Sequence, residues 1–494
     1  MTTFAQAVQN TPEIALTANG AETYASSLDA NVDLFFMIGS SRGKDITVPF
    51  EKAYQNNAEL ALRTLLYARD VRGGAGERQT FRDLLVYLEK NHTQVVFDLL
   101  PVIPFYGRWD DLLCFQTEAV RNAAFGFIAY ALTEQKDGLC AKWMPRQASK
   151  TDNTAHLLRT FMGLSPKDYR KLLVSLTNVV EQKMCAGDWD AIDFSKLPSL
   201  ASARYNKAFG RNAKESYEIY KAQLVSGEAK INASAVYPYD VIKTIKVGGD
   251  QQVAVAQWEA LPNYLGEDFI LPMVDVSGSM GGPANGSGSL TCMDVAVSLG
   301  LYLCDKQKGA FKDMFLTFHA NPQLQILKGD LNDKLNQLQE ADWGMNTDIE
   351  KAFAKVLDVA VKGNVPQSEM PKYIMIMSDM EFDRCTDGTA FNTLQSRFEA
   401  AGYQLPKVVF WNIKARMGNV PVTQNQENVA LVSGFSPNLL KSVLAAKNFT
   451  PVGVMLETIM SERYDLVSIK QTLNLKQKLE QSLSSAAKPA KRRI

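Results

Sequence analysis

Up to about residue 262, apolar residues recur at i, i+3, i+4 and i+7, the spacing of one helix face. The pattern predicts helices over 57–70, 77–90, 93–100, 117–135 and 166–184. Short breaks separate them, at Gly73-Gly74-Ala75-Gly76, at 101–104 and at Leu164-Ser165-Pro166. In the last break Ser165 suits an N-cap and Pro166 the first helical turn. Helix pairs joined by short breaks imply an α-helical solenoid or bundle. Beyond 262 the period changes. Apolar runs at 269–274, 314–318, 324–327, 373–377, 408–411 and 429–432 read as strands, with helical patterns at 292–305, 331–339, 348–361 and 391–401 between them. That alternation predicts a doubly wound, mostly parallel sheet. Residues 452–466 and 469–483 read as closing helices. The expected organisation is a helical domain over 1–262, an α/β domain over 263–466, and a C-terminal helix with a basic tail over 467–494.

Composition narrows the function classes. A chain of 494 residues suits two or three domains. Its 53 basic and 53 acidic side chains give a formal net charge of +0, so any nucleic-acid role must rest on a local patch. The six cysteines are scattered without a CxxC pair, which points to reduced thiols in a cytosol-like compartment. The first residues lack a basic stretch followed by an apolar one, and no run of about 18 apolar residues occurs. A cytoplasmic chain without a membrane span is therefore expected.

The strongest chemical signal follows the apolar run at 269–274. In Asp275-Val276-Ser277-Gly278-Ser279 one carboxylate and two hydroxyls occupy alternate positions, so on an extended segment they point the same way. Hard oxygen donors of this kind suit Mg²⁺, with Mn²⁺ or Ca²⁺ as alternatives. Two further apolar segments end in oxygen-bearing loops, one holding Thr347 and the other Asp379. Ligands of open α/β sheets bind beyond the carboxyl ends of the strands, which is where these loops would lie. The alternative is that Ser277 and Ser279 cap the next helix and Asp379 only makes a turn.

The set Asp275, Ser277, Ser279, Thr347 and Asp379 resembles the metal-ion-dependent adhesion site of von Willebrand factor A domains. The segments 275–280, 343–348, 378–383 and 429–436 resemble a family of unknown function that pairs a helical domain with such an A domain. In the helical half, 68–78, 107–112 and 141–146 resemble TROVE domains, and the whole chain resembles the Ro autoantigen ribonucleoprotein family. The resemblance implies an all-α, HEAT-like helical repeat that closes into a ring, followed by a Rossmann-like A domain. It also implies partners: small noncoding or misfolded RNA, and a protein offering an acidic side chain to the metal.

The residues supply their own candidates for RNA contact. Arg69 and Arg72 precede the glycine-rich break, and Arg78 and Arg82 follow it at the start of the next helix. Guanidinium groups suit bidentate phosphate contacts, and glycines let the backbone approach closely. The nearby Asp70 and Glu77 suit inter-helix salt bridges equally well. Lys142, Arg146 and Lys150 form a second basic segment with Trp143 beside them. Arg204, Lys207 and Arg211 share a helical face with Tyr205 and Phe209 interleaved, which also suits an ordinary amphipathic helix. Trp109 is expected to pack, and Asp110 and Asp111 to cap a helix.

Catalysis is not expected. Asp348, Glu381 and Asp383 lie near the metal motif, but no Ser-His-Asp order, P-loop or Gly-x-Ser-x-Gly elbow is present. The A-domain resemblance implies ligation of a partner's carboxylate. Two non-enzymatic readings stand: an RNA-binding scaffold with a metal-dependent capture site, and a metal-dependent protein assembly module without RNA.

Overall fold

The computed structural model describes residues 11–146, 152–233, 236–284, 288–318, 321–340, 348–383 and 390–467. They pack as two compact units. One is built from the described residues of 1–64, 72–77 and 194–459, the other from those of 65–71, 78–193 and 460–494. After two short strands before residue 25 the secondary structure is helical, and it turns to strand–helix alternation at Ile270. Packing groups the chain differently, because the helices between 194 and 262 belong to the unit that holds the large sheet.

That unit begins with a small antiparallel hairpin, β1 (Ile14–Leu16) and β2 (Glu22–Tyr24). Its large sheet comprises β3 (Ile270–Asp275), β4 (Met314–Phe318), β5 (Gln323–Ile326), β6 (Tyr373–Ser378), β7 (Lys407–Asn412) and β8 (Val429–Ser433). The order is β5-β4-β3-β6-β7-β8, parallel throughout except for the antiparallel edge strand β5. Strands β3, β6 and β8 are buried along their whole lengths, which is why they read as unbroken apolar runs. Helix Cys292–Lys306 starts at a capping box, in which the Thr291 hydroxyl accepts from the Asp294 N–H at 3.0 Å and the Asp294 carboxylate accepts from the Thr291 N–H at 3.1 Å. Gly300 seats it on the sheet, since a Cβ there would lie 2.5 Å from Val274 and 2.8 Å from Phe315.

The chain runs from β3 to β4 on one side and later returns to β6 on the other. The sheet therefore has its switch point between β3 and β6, and a crevice opens beyond their carboxyl ends. Register puts Val274 beside Met377, so Asp275 and Ser378 end the two strands side by side.

In the helical unit the expected helix over 166–184 is two helices, Pro166–Leu176 and Val180–Ala186. Thr177 breaks it: its backbone is extended, and its hydroxyl donates to the Leu173 carbonyl at 2.5 Å. Ser165 does cap the first of the pair, accepting from the Asp168 N–H at 3.1 Å, with Pro166 in its first turn. The expected closing helix over 452–466 ends early, as Pro451–Ile459 in the sheet unit followed by a 3₁₀ turn at Glu462–Val467. The expected helix over 469–483 and the basic tail lie outside the described residues.

Candidate metal centre and basic surfaces

Asp275 ends β3, fully buried. One carboxylate oxygen accepts from the Ser277 N–H at 2.9 Å and the other from the Ser378 hydroxyl at 2.6 Å. The Ser277 and Ser279 hydroxyl oxygens lie 3.0 Å apart. Asp379, also buried, accepts from the Glu381 N–H at 3.3 Å and from Ser279. Burial pushes both aspartates above the usual carboxylate range, and Asp379 adds to the shift at Asp275. Four of the five expected ligands thus converge, and the fifth, Thr347, lies outside the described residues.

The donor set fits a hard divalent cation. Two neighbouring ligands of an octahedral Mg²⁺ at about 2.1 Å stand about 3 Å apart, the spacing of the two serine oxygens. Neither aspartate has a cationic side chain in an ion pair among the described residues, so a metal would supply the missing charge. Two of these donors are carboxylates and two are hydroxyls, and no group of three or more His, Cys, Asp and Glu that could hold a metal occurs among the described residues.

The Asp379 loop is held from outside the sheet. Met380, buried, has φ 65°, and its carbonyl accepts from the Asn419 amide at 2.8 Å. The β1–β2 hairpin clasps the same loop. The Thr17 hydroxyl donates to the Phe382 carbonyl at 2.6 Å, the Asn19 amide to the Glu381 carbonyl at 2.6 Å, and the Ala18 N–H to the Glu381 carboxylate at 2.5 Å. Arg416 pairs with the other Glu381 oxygen at 3.3 Å. Glu381 is thus committed to positioning. Asp348 caps helix Ile349–Gly363, accepting from the Lys351 N–H at 2.9 Å. Two hydroxyl- and lysine-bearing features have no signal in the motif itself: Ser378, which buttresses Asp275, and the pair Lys44 and Lys414. The Lys414 ammonium donates to the Pro283 carbonyl at 2.6 Å, in the turn after Ser279. Lys44 donates to the carbonyls of Lys414 at 3.2 Å and Ala415 at 2.5 Å.

The basic candidates divide between the two units. In the helical unit Arg69 is buried and pairs with Asp111 at 2.7 Å, which removes it from reach of a phosphate. Arg82 pairs with Asp111 at 2.7 Å and with Asp110 at 3.0 Å, and Arg108 pairs with Asp110. Asp111 also accepts from the Arg108 N–H at 2.9 Å, the expected capping role. Arg78 is exposed and has no ion pair among the described residues. Partial burial and the neighbouring Arg108 and Arg82 hold its guanidinium below the usual range. Arg108 stacks over Trp143 at 3.6 Å, so one face of that ring is already covered. Lys142 lies 5.4 Å from the same ring, and Arg146 donates to the Ala141 carbonyl at 3.3 Å and the Thr177 hydroxyl at 3.2 Å. Lys150 lies outside the described residues. Trp109 packs on Phe127 as expected.

Arg72 and the glycine-rich break belong to the sheet unit. Arg72 is exposed, but Ala75 packs 3.5 Å from the Cβ position of Gly434, and Glu77 pairs with Arg42 at 2.7 Å. Within the break Gly74 and Ala75 are buried, while Gly73 and Gly76 are half-buried. Arg204, Lys207 and Arg211 are exposed on helix Ser199–Asn212 and have no carboxylate partner among the described residues. Phe209 of that helix is buried against Phe194 and Tyr217.

Comparisons with known proteins agree in covering both halves of the chain. Residues 270–484 match the family described as Domain of unknown function (DUF7788), and residues 17–105 and 128–268 match Domain of unknown function (DUF2828). The "Uncharacterized protein L728" of Acanthamoeba polyphaga mimivirus is 29% identical over 506 residues, spanning 90% of this chain and 87% of the relative. Among solved structures, the RO (RSR) protein of Deinococcus radiodurans aligns over 88% of this chain and 100% of its own, with 14% identity and a TM-score of 0.46. A helical region followed by a six-stranded mixed sheet is the arrangement the sequence leads one to expect.

Proposed function

We propose that the protein is a non-catalytic RNA-binding scaffold whose sheet unit captures a ligand through a divalent cation. The observation that carries the capture site is the convergence of Asp275, Ser277, Ser279 and Asp379 at the switch point of the sheet, with two serine oxygens spaced for one octahedral ion. The cation would be Mg²⁺, or Mn²⁺ or Ca²⁺ in its place. An anionic ligand would complete its coordination. Among the described residues the nearby acids have other engagements: Glu381 accepts from the Ala18 N–H and pairs with Arg416, and Asp348 caps a helix.

RNA binding rests on exposed cations without carboxylate partners, Arg78 in the helical unit and Arg204, Lys207 and Arg211 in the sheet unit. Such cations release counterions from a phosphate backbone, whereas neutralised ones do not. The neutralisation of Arg69 and Arg82 favours a second reading, a metal-dependent protein assembly module without RNA. The deciding experiment is purification without nuclease and sequencing of the copurifying RNA, with Arg78→Glu/Arg204→Glu/Arg211→Glu as control. Defined RNAs lost in the control support the scaffold. Background RNA in both leaves the assembly module.

A further inference from the structure

The β1–β2 hairpin holds the loop after Asp379 residue by residue, across 363 positions of sequence. The Ala18 N–H donates to the Glu381 carboxylate at 2.5 Å, and the Asn19 amide to the Glu381 carbonyl at 2.6 Å. The Thr17 hydroxyl donates to the Phe382 carbonyl at 2.6 Å and accepts from the Ala21 N–H at 3.0 Å, so one oxygen joins the hairpin's own turn to the loop. Gly20 forms a β-bridge with Asp383. Asn419, whose amide donates to the Met380 carbonyl at 2.8 Å, accepts in turn from the Thr23 hydroxyl at 3.1 Å. Residues 380–383 are therefore all tied, directly or through Asn419, to residues 17–23.

The clasp has a cost to offset. Met380 is not a glycine yet stands at φ 65°, which is strained, and it directly follows an aspartate that repels Asp275. A loop with strain and repulsion of its own relaxes unless its surroundings over-determine it. Held in place, Asp379 accepts from Ser279, and the Ser279 hydroxyl lies 3.0 Å from that of Ser277, so the clasp reaches both serines through hydrogen bonds.

Rigidity and ligand number are what separate Mg²⁺ from Ca²⁺. Mg²⁺ demands near-octahedral oxygens at about 2.1 Å, whereas Ca²⁺ takes about six to eight oxygens at about 2.3–2.6 Å in a flexible geometry. The clasp keeps the loop in one geometry. It also withholds an oxygen donor, because the Glu381 carboxylate, near enough to act on the charge of Asp379, is tied to Ala18 and Arg416 instead. We propose that the hairpin is the selectivity element of the metal centre, with Thr17 and Asn19 as positioning residues that favour Mg²⁺ over Ca²⁺ by fixing the Asp379 loop. The inference rests on the metal-capture reading above and deepens it, since it assigns the choice of ion to residues outside the ligand set.

The test is calorimetric titration of the full chain with Mg²⁺ and with Ca²⁺. Thr17→Val keeps the side-chain shape and removes the hydroxyl; Asn19→Ala removes the amide. Each should weaken Mg²⁺ about tenfold and Ca²⁺ about threefold or less, since Ca²⁺ tolerates a relaxed loop and can recruit Glu381. Thr17→Ser keeps the hydroxyl and should restore the wild-type ratio of the two affinities. A second measurement needs no variant. Coupling is reciprocal, so Mg²⁺ should slow hydrogen exchange at residues 17–21 of the wild type more than Ca²⁺ does. Absence of binding of either ion to the wild type overturns the metal reading, and this inference with it. Metal binding whose Mg²⁺ to Ca²⁺ ratio is unchanged in Thr17→Val and Asn19→Ala overturns the inference alone and leaves the hairpin a structural support. A Thr17→Ser protein as altered in that ratio as Thr17→Val, or exchange at 17–21 slowed alike by the two ions, overturns it too.

Discussion

In the sheet unit, Asp275 and Asp379 converge with no ion pair among the described residues, while in the helical unit Arg69, Arg82 and Arg108 close on Asp110 and Asp111. Both clusters are buried or half-buried gatherings of charge. One gathers acids without an ion pair among the described residues, and the other pairs its acids with its own arginines. The difference comes from where the charges stand. Strand ends point their side chains into one crevice, so acids from β3 and β6 meet each other. The arginines of the helical unit meet the acids of the turn after Gly107 before they meet any ligand.

The largest expected effect would break the self-contained side. Asp111→Ala leaves the buried Arg69 and the half-buried Arg82 without their shared carboxylate and removes the acceptor for the Arg108 N–H. An uncompensated buried charge of this kind costs about 3–5 kcal/mol, read by urea denaturation of the full chain. Asp379→Asn should do the reverse in metal-free buffer and stabilise, because it relieves the repulsion with Asp275. Two variants that both destabilise would erase the contrast between the units.

Next in size is metal itself. Mg²⁺ at about 100 times its dissociation constant should add about 2.7 kcal/mol to wild-type stability, and nothing to Asp275→Ala. Thermal melts with Mg²⁺ and with chelator read this directly. Equal shifts in both proteins would place the ion elsewhere.

Much of this contrast is legible in the sequence, though unevenly. All six strands of the large sheet are legible, β3, β6 and β8 most directly because they are buried along their lengths and must be apolar throughout. Asp275, Ser277 and Ser279 stand out because alternation on an extended segment is a local rule. The hairpin β1–β2 leaves no trace: its strands have three residues each, and Ile14 and Leu16 are exposed, so no period forms. Lys44 and Lys414 are equally silent, since nothing local links residues so far apart. Ser378 could have been found, as a hydroxyl at a strand end beside a candidate ligand. Arg69 misleads because its partner Asp111 lies 42 residues away, while the acids beside it in sequence, Asp70 and Glu77, bind other arginines.

The proposed RNA binding should give a smaller and more graded effect. Replacing Arg204, Lys207 and Arg211 with Glu should flatten the dependence of log affinity on log salt by about 0.7 for each phosphate these side chains neutralise. Filter binding across a salt series measures the slope. An unchanged slope would mean that the exposed stripe on helix Ser199–Asn212 touches no phosphate.

The smallest effect comes from a carboxylate that falls between the two cases. Asp240 sits near Arg42, but Arg42 is already engaged by Glu77 and stacked over Phe435 at 4.0 Å. Burial pushes Asp240 up to about 6, against the Tyr237 N–H it accepts at 3.2 Å and the charges of Arg42 and Lys243, which pull it down. A raised carboxylate binds its proton more tightly in the folded state than in the unfolded one, where the value is about 3.9. Its contribution to stability is therefore fully present below about pH 4 and is lost as the pH rises through about 6. Asn at this position keeps an acceptor for Tyr237 and carries no charge. Asp240→Asn should match wild type near pH 4 and become the more stable of the two above pH 6. Urea unfolding of both proteins at pH 4, 6 and 8 tests the sign. Parallel profiles would mean that Arg42 serves Asp240 as fully as it serves Glu77, and that this acid belongs with the self-contained cluster.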